Sequence, residues 1–340
     1  MTQWASDLLG REIRFSTKDF DSLLSTRESP SSIRIIENPD VSFADVIGHE
    51  SAKEIIRRAF DKLNNIDLAI ETGTDGPTRI ITYGPPGTGK SLFLKASARE
   101  LDAIYVEMNI ADLMTKWQGE SEQNIKAFWD EIKRRGLRGE RVLISMEEVD
   151  SFARDRDAGI GNDTKSTMLN ITLTALQDLS DMKMPNIVII ANTNKPWALD
   201  SAFTRAGRFD REIYFGLPEV SLREALLIKS FEKYAARLPE NWKDLMKDLS
   251  QQMEGWSAAE ITEGFSRQVR EQIFSELKNL RDSGKPIDAW RISGDKLKEV
   301  FQELSESFPG TSKIDLERFF NHRDRNAQQR QQLDEAEPGS

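Results

Sequence analysis

Residues 84–91 read Gly84-Pro85-Pro86-Gly87-Thr88-Gly89-Lys90-Ser91. They fit G-x-x-x-x-G-K-[ST], the pattern of a phosphate-binding loop. The apolar run Ile80-Ile81-Thr82-Tyr83 precedes them and Leu92-Phe93-Leu94-Lys95-Ala96 follows, which is the strand–loop–helix setting the pattern needs. Glycines let the backbone close around an anion and turn its N–H groups inward. The positive end of the next helix adds to the attraction. Lys90 has the reach for β- and γ-phosphates, and the Ser91 hydroxyl suits Mg²⁺. A glycine-rich turn carrying a chance lysine is the competing reading, and the fixed positions together with both flanks weigh against it.

Outward from this loop the chain alternates. Ala103-Ile104-Tyr105-Val106 reads as a strand, and Ile125, Phe128, Trp129 and Ile132 line one face of a helix. Val142–Met146 and Ile187–Ala191 are further buried strands, with Ile213-Tyr214-Phe215 a fourth. This pattern predicts an α/β fold with a mainly parallel sheet flanked by helices. After Leu217-Pro218 only helical spacing remains, which predicts a small all-α domain. Ser257-Ala258-Ala259-Glu260 is a capping box. Its helix carries Ile261, Phe265, Val269, Ile273 and Leu277, and Gly284 and Pro286 end it. The expected organisation is an arm over 1–40, an α/β domain over 41–217, a helical domain over 218–322 and a disordered tail over 323–340. Ile33–Ile36 reads equally as a strand or an extended linker.

Two strand ends carry candidate chemistry. Val142–Met146 runs into Glu147-Glu148-Val149-Asp150. Carboxylates at the tip of a strand beside the phosphate-loop strand would face a cation and the γ-phosphate; an ordinary acidic turn is the plain reading. Ile187–Ala191 runs into Asn192-Thr193-Asn194-Lys195-Pro196, where an amide can hold an attacking water. Arg205, Arg208 and Arg211 then follow around Gly207, either as a solvated surface or reaching a neighbouring subunit's phosphates.

The totals exclude other classes. The chain has 340 residues, 38% apolar and 31% charged, and a net charge of −10. That suits a soluble globular protein and argues against broad nucleic-acid affinity. There is no cysteine, so disulfides and cysteine-held zinc are excluded; His49 and His322 stand apart, which argues against a fused zinc protease. No apolar run approaches a membrane span, and Met1–Asp7 has no leader pattern, so the expected location is cytoplasmic.

From about Val41 to Phe320 these ordered motifs resemble the AAA clade of AAA+ ATPases. The resemblance implies ATP and Mg²⁺ as ligands, with nucleotide contacts from Val46, Ile47, Gly48, Pro85, Pro86, Gly87, Thr88, Gly89, Lys90, Ser91, Leu92 and Ala258. It implies Ser91 and Glu147 on the metal side, Glu148 polarising the attacking water, Asn194 sensing the γ-phosphate, and Arg205 and Arg208 as fingers into the next subunit. The family usually has aspartate where this chain has Glu147. Its extra methylene leaves two outcomes open, action through a water or slow hydrolysis. Lys116, Trp117 and Gln118 resemble a pore loop of the katanin, spastin and ESCRT-disassembling group, in which an aromatic grips polypeptide. A core tryptophan is the other reading. Residues 158–163 read as a second pore loop or a plain one. The implied assembly is a homo-hexamer that threads a protein client through its pore. A nucleotide-dependent assembly switch with weak turnover is the alternative.

Overall fold

A computed structural model describes residues 33–37, 39–110, 121–152, 162–199, 203, 208–209, 211–308, 310–311 and 313–336. Lys116, Trp117, Gln118, Arg205 and residues 158–161 fall outside them. Six strands form one sheet: β1 (Ile33–Ile36), β2 (Thr78–Tyr83), β3 (Ile104–Asn109), β4 (Val142–Glu147), β5 (Ile187–Thr193) and β6 (Arg211–Tyr214), in the order β1-β3-β4-β5-β2-β6. The sheet is mainly parallel, as the alternating runs require. β3 pairs with β4 from Ile104↔Val142 to Asn109↔Glu147, and β4 with β5 from Val142↔Ile187 to Met146↔Ala191. β1, left open between strand and linker by the sequence, is an antiparallel edge strand, with Ile33 opposite Met108 and Ile36 opposite Tyr105.

The order corrects one expectation. The carboxylate strand β4 does not lie beside the phosphate-loop strand β2, because β5 is inserted between them. The reason is visible in composition: all seven residues of β5 are buried, as a central strand with both faces covered must be. Thr82 Oγ1 in β2 donates to Ala191 O in β5 at 3.3 Å.

The helices between the strands are α1 (Glu50–Asn64), α2 (Ile66–Glu71), α3 (Lys90–Glu100), α4 (Ser121–Leu137) and α5 (Asn162–Asp181). The chain divides into two units. One comprises the chain to Phe43, Glu50–Thr82 and Ser91–Ile213. Its core stacks Ile81, Val106, Ile144 and Ile189 of the sheet against Phe128, Trp129 and Ile132 of α4 and Leu169, Leu173 and Leu176 of α5. The spacing of the α4 residues puts them on one buried stripe, as read from the sequence.

The other unit comprises Ala44–His49, Tyr83–Lys90 and the chain from Tyr214 onward. It holds α6 (Val220–Phe231), α7 (Trp242–Gln252), α8 (Ser266–Asp282), α9 (Gly294–Ser307) and α10 (Lys313–Ala336). Its core gathers Leu227, Phe231, Met246, Leu249, Trp256, Phe265, Val269 and Leu297. Phe265 meets Phe231 and Phe301 edge-on, with ring centroids 6.1 and 6.4 Å apart. Arg223 is buried among these helices; its Nε donates to Ser250 O at 2.7 Å and its guanidinium to Pro218 O at 2.8 Å. Burial pushes its pKa below the usual arginine value. α10 continues to Ala336, through the segment expected to be disordered, where glutamine and arginine favour helix.

At the end of β2 two backbones nearly touch. Phe215 N–H donates to Tyr83 O at 2.8 Å. The next residue, Gly84, has φ +152, and a Cβ there would lie 2.0 Å from Phe215 O. Only glycine fits this crossing.

Two variants test these contacts. Phe265→Ala removes a fully buried ring and is expected to lower stability by about 3–5 kcal/mol, read as a lower urea midpoint. Gly84→Ala drives a methyl into a backbone oxygen and is expected to lower the melting temperature even without nucleotide. An unchanged melt would contradict the close approach.

Candidate nucleotide site

The phosphate loop is built on its own carbonyls. Lys90 opens α3, yet its side chain folds back, and Nζ donates to Gly84 O at 2.9 Å and Pro85 O at 2.7 Å. Lys90 is 6% exposed. A buried ammonium needs such oxygens, and phosphate oxygens are the stronger alternative. Thr88 Oγ1 donates to Pro85 O at 2.9 Å and closes the turn. Pro86 and Gly87 are exposed at its crest, and Leu92 is 41% exposed.

The capping box comes directly onto this loop. Ala259 N–H donates to Gly87 O at 2.9 Å. A Cβ on Gly87, whose φ is +74, would meet Ser257 Oγ at 2.7 Å and Ala259 Cβ at 3.1 Å. The box has the reciprocal bonds its spacing predicts: Ser257 N–H to Glu260 Oε2 at 2.6 Å and Glu260 N–H to Ser257 Oγ at 3.3 Å. Beyond it Glu260–Phe265 forms a π-turn before α8, with Ser266 Oγ donating to Ile261 O at 2.9 Å. Such turns gather at functional sites, and nothing in the residue pattern announced this one. Ala258 is half-buried against the helical core.

Val46-Ile47-Gly48 belongs to the same unit. Val46 is buried and Ile47 packs against the helical core. Gly48 has φ +79, with Leu222 Cδ1 3.1 Å from the position of a Cβ. The next residue, His49, lays its ring on Phe215 at 4.2 Å between centroids.

The metal-side candidates lie in the sheet unit. Ser91 Oγ donates to Glu147 Oε2 at 3.4 Å. Asn192 Nδ2 donates to the same oxygen at 2.5 Å, and Ser145 Oγ donates to Oε1 at 2.7 Å. A serine hydroxyl beside a fixed carboxylate is a hard-oxygen pair that suits Mg²⁺. Buried in the same place, Asn192 Oδ1 has no hydrogen-bond partner among the described residues, so the residues fit a hydrated cation. Nearby, burial pushes the Tyr105 phenol upward, helped by the charges of Glu147 and Glu107 and opposed by its bond with Ser145. Tyr105 therefore stays protonated there.

Glu148 follows on the exposed side with φ 56, a left-handed conformation rare outside glycine. Ser151 N–H donates to its carbonyl at 2.9 Å. The turn is pinned to β5 through Thr193 Oγ1, which donates to Asp150 Oδ1 at 2.6 Å and accepts from Lys195 N–H at 2.9 Å. Asn194 is exposed just past the strand end. Arg208 is half-buried beside Phe209, whose N–H donates to Phe203 O at 3.0 Å. Phe152, Phe203 and Phe209 form a buried aromatic cluster at this point. Asn192, Ser145 and Ala259 were not singled out from the sequence. Alternation in a strand could have flagged Ser145 and Asn192 as polar breaks in apolar runs; the part played by Ala259 depends on backbone alone.

Comparison with known proteins agrees with this geometry. Residues 80–217 match the family described as "ATPase family associated with various cellular activities (AAA)". The chain is 32% identical over 258 residues to a putative cell division cycle ATPase of Plasmodium falciparum, covering 74% of this chain and 20% of that protein. It is 28% identical over 303 residues to protein CdcH of Halobacterium salinarum, covering 86% of this chain and 39% of that protein. A cell division cycle protein 48 homolog of Archaeoglobus fulgidus is 32% identical over 228 residues, covering 67% of this chain and 28% of its own length. The chain thus spans well under half the length of these relatives. With the phosphate loop, the strand-end carboxylates and the match over one stretch, the chain carries a domain of the AAA family of ATPases.

Proposed function

We propose that this chain is an ATP-driven motor that remodels, unfolds or disassembles proteins by threading them through the pore of a homo-oligomeric ring, with six subunits the expected number. The observation that carries the reading is the bond from Ala259 N–H to Gly87 O. It ties the loop that would hold the phosphates to the first turn of the helical bundle, so a change at the phosphates is felt by α8. The relative named as a cell division cycle ATPase supports ATP turnover over nucleotide binding alone.

In this reading Lys90 leaves the carbonyls of Gly84 and Pro85 for the β- and γ-phosphates. Pro85 and Pro86 shape the loop, and N–H groups over Gly87–Leu92 hold the remaining phosphate oxygens. Val46, Ile47, Gly48 and Ala258 contact the adenosine. Ser91 and Glu147 would hold Mg²⁺, which when bound neutralises charge on the phosphates. Glu148 orients and polarises the attacking water, and Asn194 senses the γ-phosphate. Arg205 and Arg208 complete the site of the next subunit. Lys116, Trp117 and Gln118 grip the client. The domain limits proposed are 41–217 and 218–322, with 1–40 and 323–340 as flanking segments. Among the described residues no helix is long and apolar enough to cross a membrane.

One observation favours a second reading, an assembly switch with weak turnover. Glu147 stands in the aspartate position and is already bound by Asn192, Ser145 and Ser91.

The test is Mg-ATP turnover per subunit against protein concentration. A rate that rises and saturates is expected, since active sites would be completed between subunits. Nucleotide binding without turnover at any concentration would overturn the motor in favour of the switch. Glu148→Gln is expected to keep ATP binding while lowering turnover by about a hundredfold or more. Trp117→Ala is expected to keep ATPase activity and lose ATP-dependent client remodelling; retained remodelling would refute pore threading.

A further inference from the structure

Glutamate in place of aspartate creates a physical problem. The longer side chain has one more rotatable bond, and a carboxylate free to turn is a poor partner for a cation that demands near-ideal geometry. The sheet order adds to it: β5 separates β4 from β2, so the Glu147 carboxylate stands beside the end of β5. There it meets Asn192, one step beyond the pair Met146↔Ala191. Asn192 is 6% exposed and donates from Nδ2 to Glu147 Oε2 at 2.5 Å. The other carboxylate oxygen, Oε1, is held by Ser145 Oγ at 2.7 Å. The orientation of the amide is dictated by chemistry. A carboxylate only accepts, so the NH₂ end must face Glu147. That directs Oδ1 away, and Oδ1 is buried without a hydrogen-bond partner among the described residues. An amide oxygen left so is costly unless a ligand or its hydration shell supplies a donor.

We infer that Asn192 is a positioning residue for this chain's metal side: its amide nitrogen locks the Glu147 carboxylate toward Ser91, and its amide oxygen accepts from a water held by the bound divalent cation. The pair Glu147–Asn192 then does the work that a shorter carboxylate does alone. The inference rests on the nucleotide site proposed above. In this reading Asn192 acts through Glu147 and the cation's water, so its effect falls on the cation. A hydrated Mg²⁺ keeps several waters, and their protons need fixed acceptors of this kind.

The experiment uses the full chain and a fluorescent ADP analogue, titrated first without divalent cation and then with Mg²⁺ at fixed nucleotide. Asn192→Ala is expected to keep the metal-free affinity and to raise the Mg²⁺ concentration giving half the fluorescence change by about ten- to a hundredfold. Asn192→Thr keeps strand propensity and most of the volume but lacks the amide, and carries the same expectation should the alanine variant misfold. In a Glu147→Asp background the effect of Asn192→Ala is expected to shrink, because the shorter side chain needs no lock. An unchanged Mg²⁺ midpoint in both Asn192 variants overturns the inference. An equal effect in the two backgrounds overturns the link to Glu147. Failure of the wild-type chain to bind the analogue at all would instead refute the nucleotide site.

Discussion

The constraint on which the rest depends is the burial of one positive charge. Lys90 sits at the start of α3 with its ammonium out of water, and the carbonyls of Gly84 and Pro85 accept from it. To present those carbonyls the chain must double back between β2 and α3, and to double back it must pass Phe215 O within a distance no side chain allows. Glycine at 84, the pinned end of β2 and the inward lysine are one solution to one problem. A loop wound this way has its N–H groups facing where an anion would lie, so an arrangement that stabilises the resting chain is also poised for phosphate. The capping box uses the same backbone: Gly87 can accept from Ala259 because nothing projects from it.

The sheet sets a second condition. Insertion of β5 between β4 and β2 gives the acidic strand end an amide-bearing neighbour. Side chains from β4 and β5 thus form a polar row, Ser145, Glu147 and Asn192, at the ends of the apolar runs of these two strands. Thr193 and Asp150 extend the same logic one residue further, bracing the turn on which Glu148 is held in a left-handed conformation. That conformation is strained for a side-chain-bearing residue and persists because the turn is fixed on both sides.

Much of this is legible in the amino-acid sequence. The phosphate loop, the strand runs, the stripe on α4 and the capping box all follow from local rules with fixed spacing, and each folded as those rules require. What escaped was non-local. Strand order depends on crossover connections, which period and propensity do not encode, so β4 was expected next to β2. Ile33–Ile36 is too short to choose between strand and linker without its partner Tyr105–Met108. The part played by Asn192 needs two strands in register, and that of Ala259 needs only a backbone N–H, which any residue but proline would offer. The π-turn at Glu260–Phe265 left no mark in composition. The helical continuation of α10 reflects the opposite effect: low apolar content does not preclude helix where glutamine and arginine are good helix formers.

The direction of β1 has a consequence for routing. Because this edge strand is antiparallel, Ile33 lies opposite Met108, near the end of β3 where Ile110 hands on to residues 111–120. A parallel strand on the same partners would have put Ile33 opposite Tyr105, about 10 Å away at three residues' rise. Ile33 therefore enters the sheet at the rim where β3 ends, and a strand of four residues is enough to fix that point of entry.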